Sequence, residues 1–568
     1  MYLIAFATDY DGTLAHHGRV DAQAIAALER LKASGRTLLM VTGRELPDLK
    51  RVFERVDLFD MIVAENGSLL YVPGTQEERA VAAAPPPELV QALRSRGVEP
   101  LSVGHGIVAT WEPHETTVLE CIRDLGLEWQ IIFNKGAVMV LPPGINKATG
   151  LAAALQALEL SPLNVLAIGD AENDHAFLTA SGCAVAVANA LDAVKETADV
   201  VTSADHGAGV IETIDALLAD ERAFVAHAAE RRKIALGDDE AAVLRPAHGG
   251  ILIAGSSGIG KSTLATAIME KLAAEGFQIC VFDPEGDYDH LEDAIVLGDA
   301  RRPPVPDEVL DILRKPVATP LVVNMLGLPV QERPGFFVAL LAPIQQLRRK
   351  TARPHWLVID EAHHMLPADS ETADSSLPNP LSDAIYVTVH PEAMRPKALA
   401  DVQTVIGVGP KAGEVMHSFC RAVDSPVPET PPAGEEDQVL FWNRASGVPP
   451  RWVGAERPRQ ARKRHTRKYA EGQLGEDRSF YFRGPAGALN LRAHNLMIFL
   501  QMADGVDDDT WLYHLHRGDV ARWFRDAIKD DDLAQEAESV QDGADPAATR
   551  EQVRAMVERR YSAPAEAS

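Results

Sequence analysis

The stretch "GGILIAGSSGIGKSTLATAIMEKLAAEG" (249–276) constrains the chain more than any other. An apolar run enters a glycine-rich turn that closes on Lys-Ser-Thr and opens a helix-like series. A strand, a phosphate-cradling loop and a helix in that order call for a parallel α/β sheet, which aims loop and helix N-terminus at one edge. The spacing G-x-x-x-x-G-K-[ST] assigns ATP binding to Gly255, Ser256, Ser257, Gly258, Ile259, Gly260, Lys261, Ser262 and Thr263. Lys261 reaches the β- and γ-phosphates, and Ser262 is a Mg²⁺ ligand. Further on, "HWLVIDEAHHML" (355–366) ends an apolar strand in an acidic pair. Asp360 suits the Mg²⁺ shell and Glu361 suits activation of the attacking water. The interval between Lys261 and Asp360 leaves room for an intervening strand, the mark of ATPases that carry a catalytic Glu after this Asp.

A second phosphate chemistry is written at the N-terminus, where "TDYDGTL" (8–14) follows an apolar strand. Asp9 and Asp11 should emerge at the carboxyl edge of a parallel sheet, where α/β ligand sites gather. One carboxylate can attack phosphorus while the other protonates the leaving oxygen. Three further stretches complete the chemistry. "VTGR" places Thr42 and Gly43 for phosphate oxygens, "GINKATG" offers Lys147 as a fixed cation, and "IGDAEND" adds Asp170 and Asp174 as hard ligands for Mg²⁺. Asn66 and Asn173 read as loop supports.

These four motifs, in this order, resemble the haloacid dehalogenase superfamily of phosphatases over residues 1–215. "AENGSLLY" (64–71) and "AVAVANALDAVKETADVVT" (184–202) are similar to its Cof-type, class IIB branch, whose cap is inserted between the second and third motifs. That window is 67–145 here, short like the reduced caps of archaeal phosphoglycolate phosphatases. The resemblance implies that Asp9 is the nucleophile, Asp11 the general acid and then base, and Thr42 and Lys147 phosphate ligands. Mg²⁺ would be held by Asp9, the Asp11 carbonyl and Asp170, with Asp174 in or beside the shell. In the second half, "VFDPEGDY" (281–288), "YVTVHPEAM" (386–394), the P-loop and the acidic pair together resemble the HerA, VirB4 and FtsK branch of ring-forming ATPases, over about 245–415. This implies a γ-phosphate sensor at Thr388 and His390, a homo-oligomeric ring, and a trans-acting arginine among Arg348, Arg349, Arg353 and Arg395.

The expected fold is α/β: a Rossmann-like phosphatase core (1–66 and 146–220) with a small α+β cap (67–145), then a RecA-like P-loop domain (249–423). A linker at 221–248 joins them. A Pro-rich and basic linker (424–475), a mostly helical accessory domain (476–540) and a tail (541–568) follow. At 568 residues the chain exceeds what one hydrophobic core supports. The four cysteines (Cys121, Cys183, Cys280, Cys420) show no CxxC pairing, which argues against a disulfide framework or zinc site. No secretory or membrane segment is read, so a cytoplasmic location is expected. A net charge of −27 disfavours wrapping of double-stranded DNA, leaving "RPRQARKRHTRK" (457–468) as the one basic stretch that speaks for nucleic acid. His514, His516 and Asp519 fall at near-helical spacing but lack a third clear metal ligand partner of the usual kind. The function expected is a Mg²⁺-dependent phosphatase acting on a small phosphorylated substrate, fused to an ATP-hydrolysing domain that regulates it or acts as a motor. Two alternatives are a polynucleotide phosphatase/kinase and an ATP-gated oligomeric switch without DNA translocation.

Overall fold

The computed structural model describes residues 2–561, apart from 240–241, 257–258, 290, 292, 369–380, 382, 433, 436, 460–473, 475 and 529. The N-terminal unit is built on β1 (Ala5–Thr8), β2 (Thr37–Val41), β3 (Met61–Ala64), β4 (Leu69–Val72) and β5 (Glu77–Ala80). A small second sheet follows, of β6 (Ser102–Val103), β7 (Val108–Trp111), β8 (Gln130–Asn134) and β9 (Ala137–Leu141). The chain then returns to the first sheet through β10 (Val165–Gly169), β11 (Cys183–Ala186) and β12 (Val200–Val201). The main sheet runs β12-β11-β10-β1-β2-β3-β4-β5. Strand order reverses at β1, with β2 and β3 stepping one way and β10 to β12 the other. Helices cover both faces, so β1, β10 and β11 are buried along their whole length, as a doubly wound parallel sheet requires.

The expected cap window of 67–145 holds two different things. Leu69–Val72 pairs antiparallel with β3 and Glu77–Ala80 antiparallel with Leu69–Val72, so both extend the core sheet. The second sheet, ordered β6-β7-β9-β8, carries the helices Pro87–Ser95 and Glu115–Asp124 on its own core of Leu89, Leu93, Val118, Val138 and Val140. The alternation of apolar residues in 69–80 reads equally well as cap or core, because both are antiparallel there.

A short hairpin of β13 (Ile234–Ala235) and β14 (Val243–Leu244) leads into the second unit. Its strands are β15 (Gly250–Ala254), β16 (Ile279–Asp283), β17 (Ile295–Leu297), β18 (Leu321–Asn324), β19 (Trp356–Ile359), β20 (Ala384–Thr388) and β21 (Val402–Val408). Two more, β22 (Gln438–Asn443) and β23 (Arg451–Gly454), add antiparallel to β21. The expected linker from 424 therefore contributes two strands to this sheet, and Leu440 enters the core. The order is β17-β18-β16-β19-β20-β15-β21-β22-β23, so β20 lies between the P-loop strand β15 and the acidic-pair strand β19. The C-terminal unit is a hairpin of β24 (Phe480–Phe482) and β25 (Leu491–Ala493) with helices through Pro546–Tyr561. Phe499, Trp511, Phe524 and Leu533 form its centre. Val553, Val557 and Tyr561 of the last helix pack there too, so the region expected as a tail belongs in part to this core.

The first two units meet at a buried seam. The His355 ring accepts from the Gln278 amide at Nδ1 (2.8 Å), which leaves Nε2–H to donate to Asn164 Oδ1 (3.2 Å). Asn164 donates in turn to the Tyr2 carbonyl (3.0 Å), and its own carbonyl accepts from Ile4 N (2.8 Å). Arg353, 1% exposed, donates to Glu159 O across the seam (2.8 Å) and to the carbonyls of Arg314 and Lys315. Leu163 packs into the second unit's core and Ala352 into the first's.

Candidate active sites

In the first unit, Asp9, Thr42 and Asp170 each stand just past the paired portion of β1, β2 and β10, which are adjacent and in parallel register. Their convergence follows from strand order alone: the crevice opens where the order reverses. Lys147 arrives from the first turn of the helix Lys147–Ala157, whose start is fixed by a capping box between Asn146 and Thr149. The helix approaches the 65–67 turn so closely that a Cβ on Gly67, at φ +108°, would lie 2.0 Å from Asn146 O. Glycine is required there, and the contact sets the depth of Lys147.

Lys147 is 1% exposed and its Nζ donates to Asp9 Oδ1 (2.6 Å) and Asp174 Oδ1 (2.5 Å). Burial and the neighbouring Asp174 push Asp9 upward against the pull of Lys147, while both carboxylates hold Lys147 protonated despite its burial. One ammonium between two buried carboxylates leaves a deficit of positive charge. Asp170, pushed up chiefly by burial, adds a third carboxylate. Oxygens of Asp9, Asp170 and Asp174 lie within 4.8 Å of one another, and this hard-oxygen cluster fits a divalent cation such as Mg²⁺. Within it, Asp174 Oδ2 already accepts from the Asp170 and Ala171 amides (2.8 and 2.9 Å). Asp174 is thereby built as a brace for Lys147 and the 170–171 turn, while Asp9 lines the cleft and Asp170 accepts from Thr13 Oγ1 (3.1 Å).

Asp11 lies at the cleft mouth, gripped by Arg44 through Nε (2.6 Å) and Nη2 (2.7 Å). Arg44 also pairs with Asp48 (2.5 Å). Sequence reasoning named Thr42 and Gly43 of "VTGR" and passed over Arg44, although its place in the same motif was the available signal. Asn173 donates to Asn66 Oδ1 (3.0 Å), so these two asparagines clasp the core loops, as expected of supports. The cavity between core and cap, about 750 Å³, is lined by Asp9, Asp11, Arg44, Trp111, Lys135 and Met139 among others. Glu65, wholly buried, ties the cap loop to the core by accepting from Gly106 N (2.9 Å) and pairing with His105 (3.2 Å).

In the second unit, the P-loop follows β15 and Gly260 at φ +102° turns the chain into the helix Lys261–Ala274. Ser257 and Gly258 lie outside the described residues. Gly255, Ser256, Ile259, Ser262 and Thr263 stand around that turn, and Lys261 Nζ donates to Ser256 O (2.8 Å). Asp360, 3% exposed, sits past β19 among Glu361, Asp287, Asp283 and Glu285, and burial with these neighbours pushes it well upward. Glu361 takes φ +44°, a left-handed conformation that is strained for Glu. His363 links the acid to the neighbouring strand: its Nδ1 lies 3.5 Å from Glu361 Oε2 and 3.0 Å from Thr388 Oγ1. Thr388 thus faces the acidic pair, whereas His390 is more exposed and pairs with Glu392. His363 was missed in sequence because the first His of "DEAHH" carries no spacing signal of its own. Arg348, Arg353 and Arg395 are committed to carbonyls inside their own chain, and Arg349 alone of the four is exposed.

The remaining sequence candidates separate. His514 accepts from Arg483 N at Nε2 (2.9 Å) and contacts Asp519 at Nδ1 (2.9 Å), while His516 reaches Gly543 O. The two histidines do not share a site. Of the basic stretch 457–468, residues 460–468 lie outside the described residues. The four cysteines are buried and unpaired. Among the described residues no helix is long and apolar enough to cross a membrane.

An α/β crevice holding an aspartate, a second aspartate two residues on, a buried lysine and an acidic cation cluster defines a phosphoryl-transfer site, with a nucleoside-triphosphate loop in the next unit. The family model for haloacid dehalogenase-like hydrolases matches residues 6–96 and 121–214, and the model for the central domain of helicase HerA matches 248–418. Phosphoglycolate phosphatase of Methanothermobacter thermautotrophicus is 33% identical over 220 residues, covering 37% of this chain and 96% of that protein. The enzyme of the same name from Haloarcula marismortui is 33% identical over 221 residues, covering 36% and 93%. A haloacid dehalogenase-like hydrolase structure from Bacteroides thetaiotaomicron aligns at 21% identity and TM-score 0.33, over 38% of this chain and 98% of its own. The chain belongs, through its N-terminal unit, to the haloacid dehalogenase-like hydrolases, and it joins that unit to a HerA-type central domain.

Proposed function

We propose that the chain is a Mg²⁺-dependent phosphomonoesterase whose neighbouring ATPase domain regulates it. The observation that carries the reading is the placement of Asp9 against Lys147, with Asp11 and Thr42 at the same crevice. Asp9 attacks phosphorus, the bond to the leaving oxygen breaks, and Asp11 gives that oxygen a proton. Asp11 then takes a proton from water, which releases phosphate from the aspartyl ester. Lys147 holds positive charge beside the transferring group throughout, and Thr42 and Gly43 offer it hydroxyl and amide donors. Bound Mg²⁺, held by Asp9, Asp170 and the Asp11 carbonyl, would supply the charge that one lysine leaves uncompensated. The archaeal relatives support a small phosphorylated hydroxy acid, phosphoglycolate foremost, as substrate. Lys261, Ser262 and Asp360 would hold ATP and its Mg²⁺, Glu361 would orient water, and a cytoplasmic location follows from such substrates.

Regulation is favoured over a DNA motor by the seam, which joins the bases of both catalytic sheets, and by the net charge of −27. The test uses the full chain. Phosphoglycolate hydrolysis is measured with and without ATP, and ATP turnover with and without double-stranded DNA. Regulation predicts a change in phosphatase rate with ATP and indifference to DNA. A phosphatase rate blind to ATP, with DNA-stimulated ATP turnover, replaces it with the motor. Phosphate transfer to a 5′-hydroxyl end would establish the kinase.

A further inference from the structure

One side chain from the cap reaches the floor of the phosphatase crevice. Lys135 Nζ donates to Asp170 Oδ2 (2.7 Å) and to the Asp11 carbonyl (3.2 Å). These are two of the oxygens proposed to hold the cation, so the ammonium and the cation exclude one another there. The position is built for reach rather than for turn stability. Lys135 and Gly136 form the two-residue connection between β8 and β9, both at positive φ (49° and 84°). That turn type favours Asn-Gly, and a lysine in its first place carries strain that Asn would relieve.

The other cations lining this cavity are already engaged. Arg44 is tied to Asp11 and Asp48, and Arg51 to Asp48. Among the described residues, Lys135 is the one lysine or arginine that the cap gives to the cavity, and its side chain is half exposed. Displaced from Asp170 by a cation, it stays in the cleft, at the end where the leaving group of a phosphate ester bound at Asp9 must lie.

We propose that Lys135 alternates between two partners: Asp170 in the cation-free site, and an anionic group of the substrate's leaving portion once the cation is bound. The residue would thereby select carboxylate-bearing phosphomonoesters and make cation loading and cap-side recognition one event. The inference deepens the phosphatase reading above and rests on it.

The test uses the full chain as wild type, Lys135→Asn, Lys135→Ala and Lys135→Arg. Asn fits the turn, so its losses are not those of a damaged hairpin. Mg²⁺ binding is read by calorimetry without substrate, and kcat and KM are read for phosphoglycolate and for ethyl phosphate, which has no carboxylate. We expect Lys135→Asn and Lys135→Ala to bind Mg²⁺ about three- to tenfold more tightly, the range for freeing a largely buried carboxylate from a half-exposed partner. The preference for phosphoglycolate over ethyl phosphate should fall about tenfold or more through KM, with partial recovery in Lys135→Arg. Unchanged Mg²⁺ affinity or an unchanged preference overturns the proposal. If the wild type shows no preference for phosphoglycolate, the substrate reading fails and the recognition half of the proposal falls with it, and Mg²⁺ affinity then tests only the exclusion between Lys135 and the cation.

Discussion

The two phosphate sites of this chain are built on similar sheets but partner their acids in different ways. At the phosphatase crevice the protein brings its own cation: Lys147 is buried between Asp9 and Asp174, and Lys135 caps Asp170. At the ATPase site Asp360 is buried beside Glu361, Asp283 and Glu285, and Lys261 rests on a loop carbonyl. The first site is wired with lysines before its substrate arrives; in the second, Glu285 pairs with Arg478 (3.1 Å) and Asp283 accepts from the backbone amides of Glu285, Gly286, Asp287 and Tyr288. The contrast teaches that the first site balances its acids mainly with buried and half-buried lysines, whereas the second holds its acids through backbone amides and an arginine of the C-terminal unit.

The sharpest way to break the comparison is to remove each site's central group and read both activities. Asp9→Asn should lower phosphomonoester hydrolysis by about 10³-fold or more while ATP turnover persists. Lys261→Ala should do the reverse, reducing ATP turnover by about 10²-fold or more, with phosphatase activity retained in the absence of ATP. Loss of both activities in a variant that stays folded would show that the two sites do not work independently.

A second test addresses the prewired charge. Lys147→Met strands two buried carboxylates, and the phosphatase unit should lose about 3–5 kcal/mol, read by chemical denaturation. Adding Asp174→Asn should restore part of that loss. A Lys147→Met protein as stable as the wild type would mean that the lysine does not neutralise the pair.

The smallest effect concerns the seam. Burial and nearby arginines hold the His355 imidazole neutral by lowering its pKa to about 3. Between that value and the ordinary 6.5 the unfolded chain binds a proton that the folded one does not, so stability is full above pH 6.5 and falls as pH drops. The wild type should lose about 2–3 kcal/mol between pH 7 and 4.5 relative to His355→Gln. Asp383, raised to about 6 by burial, titrates with the opposite sign, but it is present in both proteins and cancels. Parallel pH profiles would remove His355 from the account.

Much of this architecture was legible in the residues. Apolar strands ending in Asp, Thr-Gly or Gly-Lys-Ser announce carboxyl-edge sites, and strand order then brings Asp9, Thr42 and Asp170 together with no further information. Illegible were side chains whose role depends on long-range approach. Lys135 lies far in sequence from Asp170, and only the cap's orientation over the core joins them. The strands at 438–454 were hidden in text rich in Pro and Glu nearby, because an edge hairpin needs few buried residues. The seam was hidden for a like reason: Asn164 and His355 are single polar residues before apolar strands, and nothing local distinguishes them from strand-initiating caps.

That seam bears on the chain's history. Leu163 has entered the ATPase core and Ala352 the phosphatase core, and Arg353 spends its donors on carbonyls of both. A gene fusion that begins as two tethered, separable enzymes can be undone by a single break. Once the partners have traded core residues, either half released alone exposes apolar surface and stranded polar groups. The joining then works as a ratchet, and descendants are expected to keep both halves or lose both.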